Sequence, residues 1–461
     1  MDTTSKSQQV FTSMSVPHAV GFMVLPAIVS QIIHVVYNLA DTWFVGLTGD
    51  PNAVAAISLC LPLYNILTGL SNLFGVGGAS VIARAVGYGD QRKARQAFAV
   101  ATWAALISSA AYALLLLWLE RPLLLLIGGD AGDIDFAVQY SLVTIVLGGV
   151  PTVLAAALSN LIRATGESKS AATGMTLGAV CNIALDPLFM FVLLPKGNEV
   201  LGAALATAVS NLISLVYFAV FFLRRKNELY SFRPTLLRRS FTVLGDVSRS
   251  GLAGFTMVAM AMFSNCFLNA MIAGYGGGAA MAGLGIVRKI DSLAYAVNQG
   301  ITQGMLPLVA YSYAARDRQR MKGIIAFSTV CTVAFSLLSS TLSYLFAPEL
   351  IGVFIRDGET IRFGTGFLRV LCLAIPIYSV TFVIIAVFQA VGRSLSAFIL
   401  SLLHKGSVDI LLLFLIRALF GVRYVTWATP VMELIALAVG LVLLFHFLRI
   451  RENPGIKEVI R

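Results

Sequence analysis

The chain has 461 residues, 58% of them hydrophobic and 12% charged, with a mean hydropathy of +0.86 and a net charge of +11. A soluble globular protein carries about 25% charged residues, so the composition excludes a water-soluble domain and indicates an integral membrane protein. A nucleic-acid surface would need its Lys and Arg gathered on one soluble module; none exists here, and that function class is set aside.

The first fifteen residues, "MDTTSKSQQVFTSMS", are polar and lack the charged, apolar and small-residue succession of a cleavable signal. The first apolar segment is therefore expected to stay as a helix. From there, apolar runs long enough to cross about 30 Å of hydrocarbon follow one another to the end of the chain. Twelve are predicted: 17–46, 54–83, 97–119, 136–160, 170–194 and 201–223, then 250–274, 279–312, 323–346, 363–390, 395–416 and 425–448. A basic connector, 224–249, divides an amino-terminal lobe (1–223) from a carboxy-terminal lobe (250–461).

Counting Lys and Arg tests the topology. Of the 33, 23 fall in the termini and even-numbered connections, six in odd-numbered connections and four within segments. The positive-inside rule then places both termini and the connector in the cytoplasm, and topology accounts for the basic excess. The five cysteines all lie in apolar segments without a CxxC pair and read as packing residues.

The halves repeat each other. "RATGESKSA" (163–171) and "QAVGRSLSA" (389–397) agree at five of nine positions with a shift of 226; Gly77 and Asp90 recur as Gly304 and Asp317 with a shift of 227. "ATAVSN" (206–211) pairs with "ATPVME" (428–433). Two six-span halves share one orientation, so an axis along the membrane normal should relate them, with cargo bound between them.

Charges at membrane depth cost about 2.5 to 3.5 kcal/mol on insertion scales and persist when paired, hydrated or functional. Asp41 ends segment 1 in "HVVYNLADTWFVG". In "CNIALDPLF", Asn182 and Asp186 are four apart on one helical face, and Pro187 weakens the local ladder. Segment 6 offers Thr207. If segments 1, 5 and 6 meet, Asp41, Asn182, Asp186 and Thr207 form an oxygen cluster suited to Na+ or to a shared proton. The bland alternative is that Asp41 caps or bonds a neighbouring helix.

The second half offers Lys405 and Asp409, four apart and able to neutralise each other, and Glu433 on segment 12. "VRKID" (287–291) admits a pair between Arg288 or Lys289 and Asp291; Arg369 and His404 are further polar groups at depth, and His34 and His446 read as packed or interfacial. Pro26, fifteen residues before Asp41 on the same helix, is a bending point. "GVGG" (75–78) and "GYGGG" (274–278) lack the strand–turn–helix context of nucleotide loops and read as close helix packing or turns.

Over nearly its whole length the chain resembles the multidrug and toxic compound extrusion (MATE) transporters. The resemblance is carried by "DTWFVG" (41–46), "ARAVGYGD" (83–90), "LIRATGESKSA" (161–171), "NIALDPLF" (182–189) and "QGMLPLVAYSYAA" (303–315). It implies an all-α, V-shaped molecule of two six-helix bundles that alternates between outward and inward openings, exporting cationic or amphipathic compounds for H+ or Na+. It also implies ion coupling at the positions of Asp41, Asn182, Asp186 and Thr207, with helix 1 bending at Pro26. A second branch of the family uses acidic residues in helices 7 and 10; segments 7 and 10 here hold none, which shifts the weight to the amino lobe.

The leading expectation is a monomeric secondary antiporter without cofactor, embedded in the bilayer and handling small organic substrates. The runner-up is a flippase of lipid-linked saccharides, whose anionic cargo would want a basic central cavity and which the acidic cluster disfavours. An enzyme is not expected, since no HExxH, GxSxG or His cluster occurs.

Overall fold

The computed structural model describes residues 9–48, 51–127, 134–195, 197–225, 229–237, 240–404 and 406–450, and among them every regular element is a helix. Ten helices are long and apolar enough to cross a membrane, a bent pair makes an eleventh, and a break inside the longest makes the twelfth. They are α1 (Val16–Gly46), α2 (Ala55–Gly87), α3 (Gln91–Ile127), α4 (Ile134–Leu147 with Gly149–Arg163, bent by 47°), α5 (Ser168–Leu193) and α6 (Glu199–Arg224). Then come α7 (241–275), α8 (278–314), α9 (Arg318–Leu345), α10 (Gly358–Val391), α11 (Ser394–Phe420) and α12 (Val422–Arg449).

Each break has a local cause. Between α7 and α8, Gly276 leaves the helical region and Gly277 takes φ +56° and ψ −143°, a conformation open to glycine alone. The "GYGGG" stretch is therefore a turn. α4 bends beside Gly148, after a wide turn over Leu142–Leu147. Similar wide turns follow Ser71 in α2 (Asn72–Val76) and Pro187 in α5 (Leu188–Leu193), where proline offers no amide to the ladder. α11 is interrupted between Leu403 and Ser407.

The helix ends repeat as the sequence does. Asp90 caps α3 through the Lys93 amide (2.8 Å), and its counterpart Asp317 caps α9 through the Arg320 amide (2.9 Å). Gly89 precedes the first cap at φ +77°, and Arg316 precedes the second at φ +61°.

The two bundles meet along two helix pairs related by the repeat, α1 with α8 and α2 with α7. Glycine makes the approach possible. A Cβ on Gly304 would stand 2.7 Å from Val24 Cα, and one on Gly300 2.6 Å from Ile28 Cα. Across the other pair, a Cβ on Gly77 would collide with the Val247 carbonyl and one on Gly251 with the Leu73 carbonyl. Polar ties reinforce the seam: Lys93 bonds Asp246 at 2.9 Å, and Arg84 reaches the Ala390 carbonyl (3.2 Å) and Ser250 (3.2 Å). Asp246 lies within α7, which begins at Phe241 and so includes the end of the stretch read as connector.

Candidate functional site

α5 packs along α1 and against α6, so the condition that segments 1, 5 and 6 meet is fulfilled. On α5 the four-residue spacing puts Asn182 and Asp186 on one face, 1% and 0% exposed, and α6 brings Thr207 (6%) beside them. Asn182 Nδ2 points at Asp186 Oδ1 (3.4 Å) and at Thr207 Oγ1 (3.5 Å), both long for hydrogen bonds. Asp41 is close enough for its charge to act on Asp186. Three oxygens of this group, Asp41 Oδ1, Asn182 Oδ1 and Asp186 Oδ2, are buried without a hydrogen-bond partner among the described residues. A loose, buried cluster of oxygen acceptors is a fitting environment for a proton or a hard monovalent cation.

Around the carboxylates stand phenols that a search for charges passed over. Tyr37, Tyr64 and Tyr140 come from α1, α2 and α4, and each interacts electrostatically with Asp41. Tyr64 lies beside Tyr37, Asn211 and Thr152, and Asn211 donates to Thr152 at 2.9 Å. Tyr37, Tyr64, Thr152 and Asn211 line a cavity of about 310 Å3 between the bundles, on whose wall Asn182 and Thr207 also lie.

The cavity wall is more polar than an apolar, aromatic lining for promiscuous binding would be. Amides arrive from many spans: Gln31, Asn72, Asn160, Asn211, Gln299 and Gln303. Neutral amides inside apolar runs are the signal that could have found them. Among the described residues its wall carries one Arg, Arg163, and no Asp or Glu. Asp41 and Asp186 stand just behind that wall, beside Tyr37, Tyr64 and Asn182, so the cavity has a cation on its wall as well as the acidic cluster behind it. Arg163, read as part of a cytoplasmic connection, is the last residue of α4 and 2% exposed.

Pro26 lies within a helix that runs unbroken from Val16 to Gly46. Proline leaves the Phe22 carbonyl without its usual amide, and the neighbouring Met23 carbonyl accepts from Ser168 Oγ of α5 (2.6 Å).

In the carboxy lobe the candidates separate. Lys405 lies outside the described residues. Asp409 accepts a short hydrogen bond from Ser264 of α7. Glu433 faces His404, Nδ1 to Oε1 at 2.8 Å, with both side chains 0% exposed. The residue left least explained by sequence thus has a partner on the interrupted α11. Of the "VRKID" group, Asp291 accepts from the Tyr378 hydroxyl (2.9 Å) and Arg288 donates to Asn265 (3.2 Å).

The profile of the MatE family matches residues 26–188 and again 253–415, two stretches that begin 227 residues apart. The chain belongs to the MatE family. That family match is to a transporter family, and the doubled match has the spacing of the internal repeat. The chain is 28% identical to the multidrug export protein MepA of Staphylococcus saprophyticus over 95% of each chain. Against MepA of Staphylococcus aureus strain MSSA476 the identity is 27%, again over 95% of each. Its fold matches a solved outward-facing conformation of a multidrug resistance MATE family transporter of the MOP superfamily, with a TM-score of 0.89 at 23% identity, covering 98% of this chain and 99% of the other. With its apolar spans, this MatE chain is a multi-pass membrane protein.

Proposed function

We propose that the protein is a secondary antiporter that exports amphipathic organic compounds, cations among them, in exchange for H+ or Na+. Relatives named for multidrug export support the export of drug-like compounds. The observation that carries ion coupling is the group of three orphaned buried oxygens on Asp41, Asn182 and Asp186 beside Thr207. An ion there cancels a charge whose burial is costly, so occupancy and helix packing are linked. Because Asp41 and Asp186 sit on different helices, binding an ion draws α1 and α5 together and releasing it loosens them. Pro26 is the natural place for α1 to yield.

The same geometry supports alternating access. The bundles touch through glycine-lined pairs at the end that carries Lys93 and Asp246, and the cavity lies between them. The excess of basic residues in the connections on that side supports a cytoplasmic position for it and for both termini. One proton suffices for a neutral compound: about 100 mV supplies roughly 2.3 kcal/mol per charge and a pH unit about 1.4, against about 2.7 for a hundredfold gradient, whereas a monocation moved outward against the same potential costs roughly 5 and takes two protons or a steeper gradient.

The test is efflux of a fluorescent organic cation from energised cells, wild type against Asp41→Asn, with protonophore and sodium controls. Loss of efflux in a normally inserted variant is expected, and the controls identify the ion. Undiminished, ion-driven efflux from Asp41→Asn would overturn the assignment of the amino-lobe cluster.

A further inference from the structure

The group that the export reading leaves unused is Arg163. It is 2% exposed, at the end of α4 and on the wall of the central cavity. Its Nη1 donates to Asn160 Oδ1 and to Gln303 Oε1, each at 3.0 Å, and Gln303 is held in turn by Gln31 Nε2 at 3.1 Å. Both bonds engage the same nitrogen. Nε is buried without a partner, and no carboxylate stands within ion-pair distance among the described residues. The free edge, Nε with Nη2, is the planar fork that matches the two oxygens of a carboxylate or related oxyanion. A buried guanidinium held by neutral amides alone is uncompensated, because amide oxygens supply no opposite charge.

The repeat shows that the fold does not require this charge. Under the shift of 226, Arg163 corresponds to Gln389 of the other bundle, a neutral amide that lines an adjoining cavity between the two. One architecture thus accommodates an amide at this position in one lobe and bears a cation in the other. The cation stands on the cavity wall, between the amides Asn160 and Gln303.

Resting on the export reading of this cavity, we propose that Arg163, oriented by Asn160 and Gln303, recognises an acidic group on the transported compound. The substrates selected are apolar ring systems that carry a carboxylate, sulfonate or phosphate. A compound bearing a positive group as well places its acid at Arg163, and the amides that do not bind Arg163, Asn72, Asn211 and Gln299, face the remainder of the molecule.

The test uses one dye in two forms: rhodamine B, with its free carboxylate, and its ethyl ester, a cation of nearly the same shape. Binding to the full-length protein in nanodiscs is followed by fluorescence polarisation, and transport in proteoliposomes. Arg163→Gln, which copies the other lobe, is expected to weaken rhodamine B by about tenfold to a hundredfold, the worth of a hydrogen-bonded charge, while ester binding stays within about twofold. Gln303→Glu places a competing carboxylate on the same nitrogen and is expected to reproduce the selective loss even if Arg163→Gln folds poorly. Equal losses for both dyes, or no loss of discrimination in either variant, would overturn the assignment and leave Arg163 as a tie between α4 and α8. A wild type that moves neither dye would instead overturn the export reading.

Discussion

The seam between the bundles can be perturbed with two methyl groups. Gly300 and Gly304 lie one turn apart on α8, and their added Cβ atoms would stand 2.6 Å from Ile28 Cα and 2.7 Å from Val24 Cα on α1. Both obstacles are backbone and cannot rotate away. Reaching an ordinary contact of 3.4 Å requires α1 and α8 to part by about 0.7 to 0.8 Å over two turns. Overpacking costs about 1 to 3 kcal/mol per site, and replacing helical glycine with alanine returns about 0.5 to 1. The pair Gly300→Ala with Gly304→Ala should therefore disfavour the closed seam by about 2 kcal/mol, a shift of roughly thirtyfold in the conformational equilibrium. Gly285 lies on the same helix with nothing within 4 Å, so Gly285→Ala is the matched control and should change nothing. Spin labels at Arg92 and Arg318, exposed on opposite bundles, report the separation by double electron–electron resonance after the five cysteines are replaced. The double variant should populate a longer distance that the control lacks. An unchanged distance in a folded double variant would refute the claim that these glycines set the closed state.

Asp186→Asn keeps the size of the side chain and its contact with Asn182 but removes one of two charges; efflux driven by an ion gradient should fall by at least about tenfold while equilibrium binding of a cationic dye persists, and undiminished driven efflux would remove Asp186 from the coupling site. His404 and Glu433 form a fully buried pair, so His404→Ala or Glu433→Ala alone should cost about 3 to 5 kcal/mol, and their joint replacement by apolar residues less than the sum, as read by thermal unfolding in detergent. Arg316 holds the left-handed conformation that its counterpart Gly89 supplies without strain, so Arg316→Gly should raise stability by up to about 1 kcal/mol in the same assay; a loss would show that the Arg316 side chain matters more than its backbone.

What could be read from sequence and what could not divide along physical lines. Spans were legible because the bilayer demands long apolar helices wherever the chain crosses, and Asp41, Asn182 and Asp186 stood out because their cost at depth is high. The turn at "GYGGG" was legible because its signal is local, whereas Asp90 and Asp317 stood out only as a repeat and the structure shows them to be caps. Tyr37, Tyr64 and Tyr140 were not, since a phenol is at home in a membrane protein and only proximity to Asp41 distinguishes these three. Arg163 was misplaced because a cation at the end of an apolar run resembles any residue of a basic connection until the other bundle covers it.

The sequence by itself determined a chain of apolar spans, two repeated halves and the polar residues at depth on helices 1, 5 and 6, because hydrophobicity, repeat spacing and helical periodicity are written along one chain. Only the tertiary structure decided that amides and one arginine line the cavity, that His404 meets Glu433, and that glycines close the seam. Those facts depend on which faces of separate helices oppose each other, and side-chain types in a single strand of text do not carry that information.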